Sequence, residues 1–444
     1  QFINHASILI NYNEISLLSD PWYQGDAFHK GWNLVYELTD DEITDLLINV
    51  THIWISHEHP DHFSILFFKK FGNLLKEKNI QILFQETKDK RVEMFLTKSG
   101  FNVQIIRFNK WIKLGDDFEI LCFKDGFYDS GLAVKTGDKK ILNLNDCEVK
   151  DGSRCKEVLK LTGECDVLVS QFSYAAWKGG KDNFAWRKLA AKEKINTLKL
   201  QTSYFKPKVL IPFASYVYFS NSLNSYLNDA SNKPADVINA FKDSNVRVSV
   251  LKPFQKISEL GNDSSNQESV KFWDNEYKKV LTLPPKEFLT VDLNQIEESF
   301  GVYKERIFKN NSKRFMWLMR LISPVSVFKP IIIKITDLDI KVELDIFSDR
   351  LKTSNLNAHI SMSSESLDFI LKNTFGFDTL TVNGCFEEES KSGFSIVTRS
   401  LAVENLNNMG IKFVPSIVFN FQLIKLFFFF FYTVVQKINL AYES

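Results

Sequence analysis

The sequence predicts an α/β or layered αββα fold followed by a smaller α+β C-terminal domain. Three observations predict it. Short apolar runs, rich in β-branched and aromatic residues, alternate with amphipathic stretches over residues 1–255. A polar, turn-rich stretch containing "ELGNDSSNQES" and "TLPPKEF" then breaks the pattern. Strand-like runs resume from Pro330 in a new order.

In order, "SILINYNEISLLSD" reads as a hairpin turning at Asn11–Asn13. "TDDEITDLLINV" reads as an amphipathic helix with Thr39 or Asp40 as N-cap. "THIWIS" is a buried strand, and "ILFFKKFGNLLKEK" has apolar residues at helical spacing. "IQILF", "NVQIIRF", "FEILCFK", "GLAVKT" and "KILNLND" follow as strands. "DVLVSQF" and "KVLIPFA" are two more, around a long helix, "NFAWRKLAAKEKINTLKLQTSYF". These observations place one domain at 1–255, a linker or helical segment at 256–310 and an α+β domain at 311–444. The last opens on the basic, apolar helix "NNSKRFMWLMRLISP". Its strands "IIIKITD", "IKVELDIF" and "NLNAHISMS", helix "SESLDFILKNTFG" and strand "DTLTVNGCFE" are similar in pattern to lipid-carrier modules of the sterol-carrier type.

The 444 residues are 44% hydrophobic and 25% charged, an ordinary globular composition. A formal net charge of +1 offers no basic face for nucleic acid, so none is expected as a partner. The five cysteines are sparse and lack CxxC spacing, which argues for a reducing, cytoplasmic setting and against a structural zinc knuckle. The segment 416–438 is very apolar but interrupted by Asn420, Gln422 and Lys425. It reads first as a buried helix or interface, then as peripheral membrane contact. The chain starts abruptly at Gln1 inside a strand-like run, and further sequence is expected upstream.

Three of the chain's 7 histidines lie in "HEHPDH", residues 57–62. The metalloprotease motif HExxH fails here, because Asp61 takes its fifth place and Pro60 would break the helix it needs. Read as HxHxDH, the stretch fits a metal site. His57 and His59 alternate, so in extended backbone they point the same way. Asp61 and His62 follow the turn at Pro60 and can serve a second metal. Imidazole with carboxylate suits iron, zinc or manganese.

HxHxDH after a buried strand resembles the signature of the metallo-β-lactamase superfamily. More closely, "HASILI", "DPWYQGDAFHKGWNL", "HIWISHEHPDHFS", "KILNLNDC" and "IPFASYV", in this order, resemble the metallo-β-lactamase region of the CMP-N-acetylneuraminate hydroxylase (CMP-sialic acid monooxygenase) family over about residues 1–255. The resemblance implies two metals with Asp146 bridging them. It places Asp20, Trp22, Gly25 and Phe28–Trp32, including Trp32, around the pocket, and His5 near the metals. Two histidines expected by the resemblance are replaced, by Tyr128 in "KDGFYDSG" and by Asn221 in "PFASYVYFSN". That leaves His57, His59 and Asp146 as a two-histidine, one-carboxylate set, the ligand set of non-haem iron oxygenases. Asp61, His62 and Asp146 form an oxygen-rich second set, with Tyr128 available as a phenolate. Asp61, Asp146 and Tyr128 are the candidate catalytic residues.

The expected function is iron-dependent oxygenase chemistry on a nucleotide-sugar or other glycosyl substrate. The alternatives are a di-zinc or di-manganese hydrolase of phosphodiesters or lactones, with Asp61 or Asp146 handling a water's proton, and a degenerate, non-catalytic module. The family also carries a Rieske [2Fe–2S] domain, which needs two Cys and two His. No Cys-x-His spacing occurs here, so that cofactor is expected only from an upstream domain, and electrons otherwise from an external reductase.

Overall fold

The short apolar runs become strands, most of them in two sheets and two paired apart as a short ribbon. In chain order the strands of the N-terminal unit are β1 (Phe2–Asn4), β2 (Ser7–Tyr12), β3 (Ile15–Ser19), β4 (Trp32–Leu34), β5 (His52–Ile55), β6 (Gln81–Gln85), β7 (Asn102–Ile106) and β8 (Trp111–Gly115). They continue as β9 (Phe118–Lys124), β10 (Ser130–Thr136), β11 (Lys139–Asn145), β12 (Val167–Gln171), β13 (Val209–Phe213), β14 (Val217–Phe219) and β15 (Arg247–Val248). One sheet runs β1-β2-β3-β5-β6-β7 and the other β15-β13-β12-β11-β10-β9-β8. Strands β3, β5, β6 and β7 pair in parallel, as do β11, β12, β13 and β15. Helices form the crossovers, giving the αββα sandwich expected of the metallo-β-lactamase architecture. This computed structural model describes residues 1–257, 263–324 and 326–419; the apolar segment 416–438 lies outside them beyond Phe419.

The core lies between the two sheets and under the flanking helices. Trp54, Leu83, Ile120, Cys122 and Val134 form one cluster drawn from both sheets. The helix Asp40–Leu47 buries Ile43, Leu46 and Leu47, and Thr39 is its N-cap in a capping box with Glu42. The single helix read in "ILFFKKFGNLLKEK" is two, Ile65–Lys70 and Gly72–Glu77, because Phe71 leaves helical geometry at φ −100° and ψ 4°. Both halves still bury their phenylalanines or leucines against the same cluster.

The boundary at residue 255 moves. The chain divides into one unit of 1–287 with 379–385 and another of 288–378 with 386–444. The stretch 256–310 is helical, one of its two expected readings, and divides between the units, with Asp263–Leu281 in the first and Leu293–Asn310 in the second. The helix Asp263–Leu281 drives Trp273, 0% exposed, into the N-terminal core, where its ring lies 4.2 Å from that of Tyr216 and its Nε1 donates to Leu251 O at 2.9 Å. Trp273→Ala is expected to lower stability by about 3–5 kcal/mol, the usual cost of emptying a buried aromatic site. Thermal denaturation checks this; a surface linker would show almost no change.

The C-terminal unit is α+β, with β16 (Ile331–Ile335), β17 (Ile340–Leu344), β18 (Lys352–Thr353), β19 (Ile360–Met362) and β20 (Glu387–Glu388) in the order β18-β17-β16-β19-β20. The helix Leu293–Asn310 belongs to this unit. "DTLTVNGCFE" is not a strand. It is helical through Asn383, and only Glu387–Glu388 pair with β19. No helix among the described residues is long and apolar enough to cross a membrane. The five cysteines are buried and unpaired.

Candidate metal centre

The buried strand β5 ends at Ile55, and the chain then leaves the sheet through Ser56 to Ser64. His62 N and Phe63 N both donate to His59 O, at 3.0 and 2.7 Å, so the loop closes on itself just past Pro60. Ser64 caps the next helix by accepting from Phe67 N. The Ser56 carbonyl accepts from Gln85 Nε2 at 2.6 Å and from Ser130 Oγ at 2.7 Å. Ser130 opens β10 in the other sheet, so this carbonyl ties the two sheets together beneath the histidines. Asp146 follows β11, where Asn145 takes φ +39° and accepts from Asp146 N at 2.6 Å. Non-glycine residues rarely hold positive φ unless their surroundings enforce it; His5 (φ 28°) and Asp20 (φ 37°) do so as well.

Three groups of ligand atoms result, each lying within 4.8 Å of one another: His5, Asp61 and His62; His57, His59 and Asp129; and His57, His62 and Asp146. His57 Nε2 is 2.9 Å from His59 Nδ1 and 3.6 Å from Asp129 Oδ1. Asp61 Oδ2 is 3.4 Å from both His5 Nε2 and His62 Nε2. Asp146 Oδ2 stands between the groups, 3.8 Å from His57 Nε2 and 3.5 Å from His62 Nε2.

A buried brace orients the rings. Asp20 accepts from His62 Nδ1 at 2.9 Å and from the Ser56 N–H and Oγ–H, each at 2.7 Å. With its proton given to Asp20, Ser56 Oγ accepts from His57 Nδ1 at 3.0 Å. Both Nε2 atoms are thereby turned toward the carboxylates, as in the carboxylate–histidine pairs behind protein-bound metals. Asp20→Asn is expected to weaken metal affinity by about 10- to 100-fold, the usual effect of losing such a partner. Chelator competition measures it, and unchanged affinity would mean that the brace is idle.

The charges are strongly coupled. Burial alone would lower His62, yet Asp146, Asp61 and Asp20 hold its pKa well above the ordinary histidine value. Burial and then His62 push His57 well below it. Burial and then Asp146 raise Asp129 far above the usual carboxylate range. Burial works the same way on Asp61 and Asp146, but the neighbouring histidines together outweigh it, His62 with His5 at Asp61 and His62 with His57 at Asp146, and hold both low. A bound cation would work against the raised pKa values of His62 and Asp129, since metal ligands bind deprotonated.

The donor set fits a metal. Asp61 Oδ1, His62 Nε2, Asp129 Oδ1 and Asp146 Oδ1 are buried without a hydrogen-bond partner. Buried polar atoms are ordinarily satisfied; a cation among these groups would satisfy these. Imidazole and carboxylate donors suit iron, manganese or zinc.

The residues read from sequence come together, with changed groupings. His57, His59, Asp61, His62 and Asp146 converge, but the carboxylate grouped with His59 is Asp129, not Asp146. His5 sits among the ligand atoms rather than merely near them. Trp22 is buried with its ring centroid 5.5 Å from that of His5, and Asp20 accepts hydrogen bonds from His62 and Ser56. Trp32 packs on Phe28, whose ring is 5.8 Å from that of His59. Tyr128 keeps its ring 6.1 Å from His59, while its carbonyl accepts from Gln85 Nε2. Asn221 is fully buried, with its Oδ1 accepting from Leu223 N at 3.0 Å in a turn.

Asp129 and Ser56 were not singled out from sequence. Asp129 had a usable signal, an acid immediately before a strand in "KDGFYDSG". Its loop is fixed by Asp125, which accepts from Glu148 N and Arg154 Nε.

No family model matches the chain. It is 27% identical over 254 residues to the cytidine monophosphate-N-acetylneuraminic acid hydroxylase of Danio rerio, covering 53% of this chain and 41% of that protein. It is 27% identical over 248 residues to the Xenopus laevis hydroxylase, covering 52% and 40%. The Homo sapiens relative, described as inactive, is 26% identical over 259 residues, covering 54% and 50%. The chain spans about half the length of the curated relatives it matches. Among solved structures, the diiron β-hydroxylase CmlA from Streptomyces venezuelae aligns with a TM-score of 0.42 at 13% identity, over 57% of this chain and 52% of that one. A possible metal-dependent hydrolase from Veillonella parvula aligns with a TM-score of 0.40 at 16% identity, over 57% and 95%. In architecture the N-terminal unit is an αββα sandwich, and in sequence the chain is similar to the cytidine monophosphate-N-acetylneuraminic acid hydroxylases.

Proposed function

We propose that this chain is a metalloenzyme whose dinuclear centre supports iron-dependent hydroxylation of an anionic, sugar-nucleotide-like substrate. The carrying observation is the donor set: two histidines and one carboxylate in His57, His59 and Asp129, beside His5, Asp61 and His62, with Asp146 between them. Two histidines with one carboxylate, and a carboxylate-rich neighbour, favour iron or manganese over the nitrogen- and sulfur-rich sets typical of zinc. Bound iron would supply the activation of dioxygen. The protein's share is to hold neutral His57 and charged Asp61 and Asp146 in fixed orientation through Ser56 and Asp20.

Two further features support the reading. Lys194, from the helix Phe184–Phe205, donates to Gln171 Oε1 at the end of β12. Burial lowers its pKa, while Glu148 and Asp146 counteract that. Lys178 is affected likewise, by burial and then by Glu148. Two ammonium groups in this field suit a carboxylate or phosphate on the substrate. Hydroxylation with dioxygen also requires two electrons and two protons beyond those of the substrate. The five cysteines are buried, and burial raises the thiol of Cys122 to about 12 and that of Cys155 to about 11, so they offer no thiolate relay. The electrons would come from an external reductase or from a Rieske centre on further sequence.

The deciding experiment is elemental analysis of protein purified without chelators, followed by oxygen consumption with a chemical reductant. Iron near two per chain with substrate-dependent oxygen uptake is the expected result. Zinc or manganese, with turnover of phosphodiesters or lactones, would replace this reading with the hydrolase. Absence of any retained metal would leave a non-catalytic module.

A further inference from the structure

The loop Phe28–Gly31 is tight and strained. Ala27 and Trp32 pair across it, N to O in both directions at 3.0 and 3.1 Å. Between them Phe28, His29 and Lys30 take φ of 51°, 54° and 59°, three consecutive left-handed residues with side chains. Such backbone persists only where its surroundings impose it.

Those surroundings are polar, buried and partly remote in sequence. Asn383 Nδ2 donates to Phe28 O at 3.0 Å. Asn224 Nδ2 donates both to Gly31 O at 2.9 Å and to Asn383 O at 2.7 Å. Ser220 N also donates to Gly31 O, at 3.0 Å. Asn383 is 2% exposed and Asn224 0%. Their side-chain oxygens are occupied too: Asn383 Oδ1 accepts from Cys385 N and Asn224 Oδ1 from Asn221 N, each at 2.9 Å. The fit at Gly31 is so close that a Cβ there would lie 2.9 Å from Phe28 O and collide with Asn383. The segment is itself seated on the N-terminal unit, with Thr381 O accepting from Trp177 N and Gly384, at φ +66°, packed against Trp177 and Leu227.

We infer that Thr379–Cys385 is a positioning segment: Asn383, with Asn224, clamps the Phe28–Gly31 loop and so holds Phe28 against His59 without contributing to the candidate ligand set. Asn383 is a positioning residue, acting through the backbone of a loop that it does not share. The device explains why Thr379–Cys385 clusters with residues 1–287 although the chain on both sides of it forms the other unit. It also gives Asn221 a place, in the turn that presents Asn224. The inference rests on the metal reading only in naming His59 as a ligand.

The test is Asn383→Asp in the full chain. This change keeps the shape and the oxygen that accepts from Cys385 N, and removes the donor to Phe28 O. Asn224→Asp does the same to the second clamp and serves if the first variant folds poorly. Limited trypsin digestion, read by mass spectrometry, reports the Lys30–Gly31 bond. Either variant is expected to speed cleavage there at least about tenfold, the effect of losing one buried hydrogen bond on local opening. Ferrous iron content should stay at the level of the unmodified protein. Asn311→Asp, at a buried asparagine of the other unit, controls for general destabilisation and should leave Lys30–Gly31 unchanged. Unchanged cleavage in both clamp variants would overturn the inference. So would faster cleavage at all sites alike, or an equal effect from Asn311→Asp. Failure of the unmodified protein to hold iron would sink the metal reading and leave the clamp standing.

Discussion

Asp146→Ala is expected to lower bound metal from about two ions per chain to one or fewer and to reduce turnover by roughly a thousandfold or more, since a bound metal contributes several kcal/mol to the reaction. The reason is its place between the groups. One carboxylate oxygen lies 3.8 Å from His57 Nε2 and 3.5 Å from His62 Nε2, and among the described residues no other acid is grouped with both. The fold should survive, because the Asn145 side chain holds Asp146 through its backbone N–H. The removed carboxylate also balances charge on His62. Elemental analysis and thermal denaturation of the same sample separate metal loss from unfolding. Two ions retained in Asp146→Ala would mean that the two positions do not share this residue.

Asp129→Ala and Tyr128→Phe should behave oppositely. The resemblance to the hydroxylases puts the missing histidine at Tyr128. In the folded chain the ligand-forming atom near His57 and His59 is the Asp129 carboxylate, one residue later. Removing it is expected to weaken the metal at that position by at least about a hundredfold, the upper range for outer partners alone. Tyr128→Phe should leave metal content intact. Asp129→His would restore a third imidazole and shift preference toward zinc, whose sites are rich in nitrogen donors. Competition between ferrous iron and zinc, read by elemental analysis, checks both. Metal loss in Tyr128→Phe with none in Asp129→Ala would reverse the assignment.

Much of this was legible in the sequence because it is local. The hairpin around Asn13, the capped helix after Thr39 and the strand "THIWIS" carry their signals within a few residues, in spacing and caps. HxHxDH is local too, since alternation and a proline turn suffice to bring His57, His59, Asp61 and His62 together. Asp146 came from the resemblance, which asks for an acid at a later strand end, and "KILNLND" supplies one. The residues misread or missed are those whose roles depend on distant partners. Trp273 lies in a stretch as polar as a linker, and only its socket beside Tyr216 and Leu251 makes it core. Thr379, Thr381 and Val382 favour a strand by their β-branching. They are helical in the structure, in a segment whose Asn383 meets Phe28, 355 residues away.

The sequence by itself determined the strand and helix pattern of the α/β unit and the crowding of His57, His59, Asp61 and His62, because strand period, helix caps and residue spacing are properties of short segments. The tertiary structure decided which carboxylate stands with which histidine, which side chains only brace, and where one unit ends. Those outcomes depend on packing distances between segments far apart in the chain. A shift of one residue, as from Tyr128 to Asp129, changes which side chain reaches the metal position.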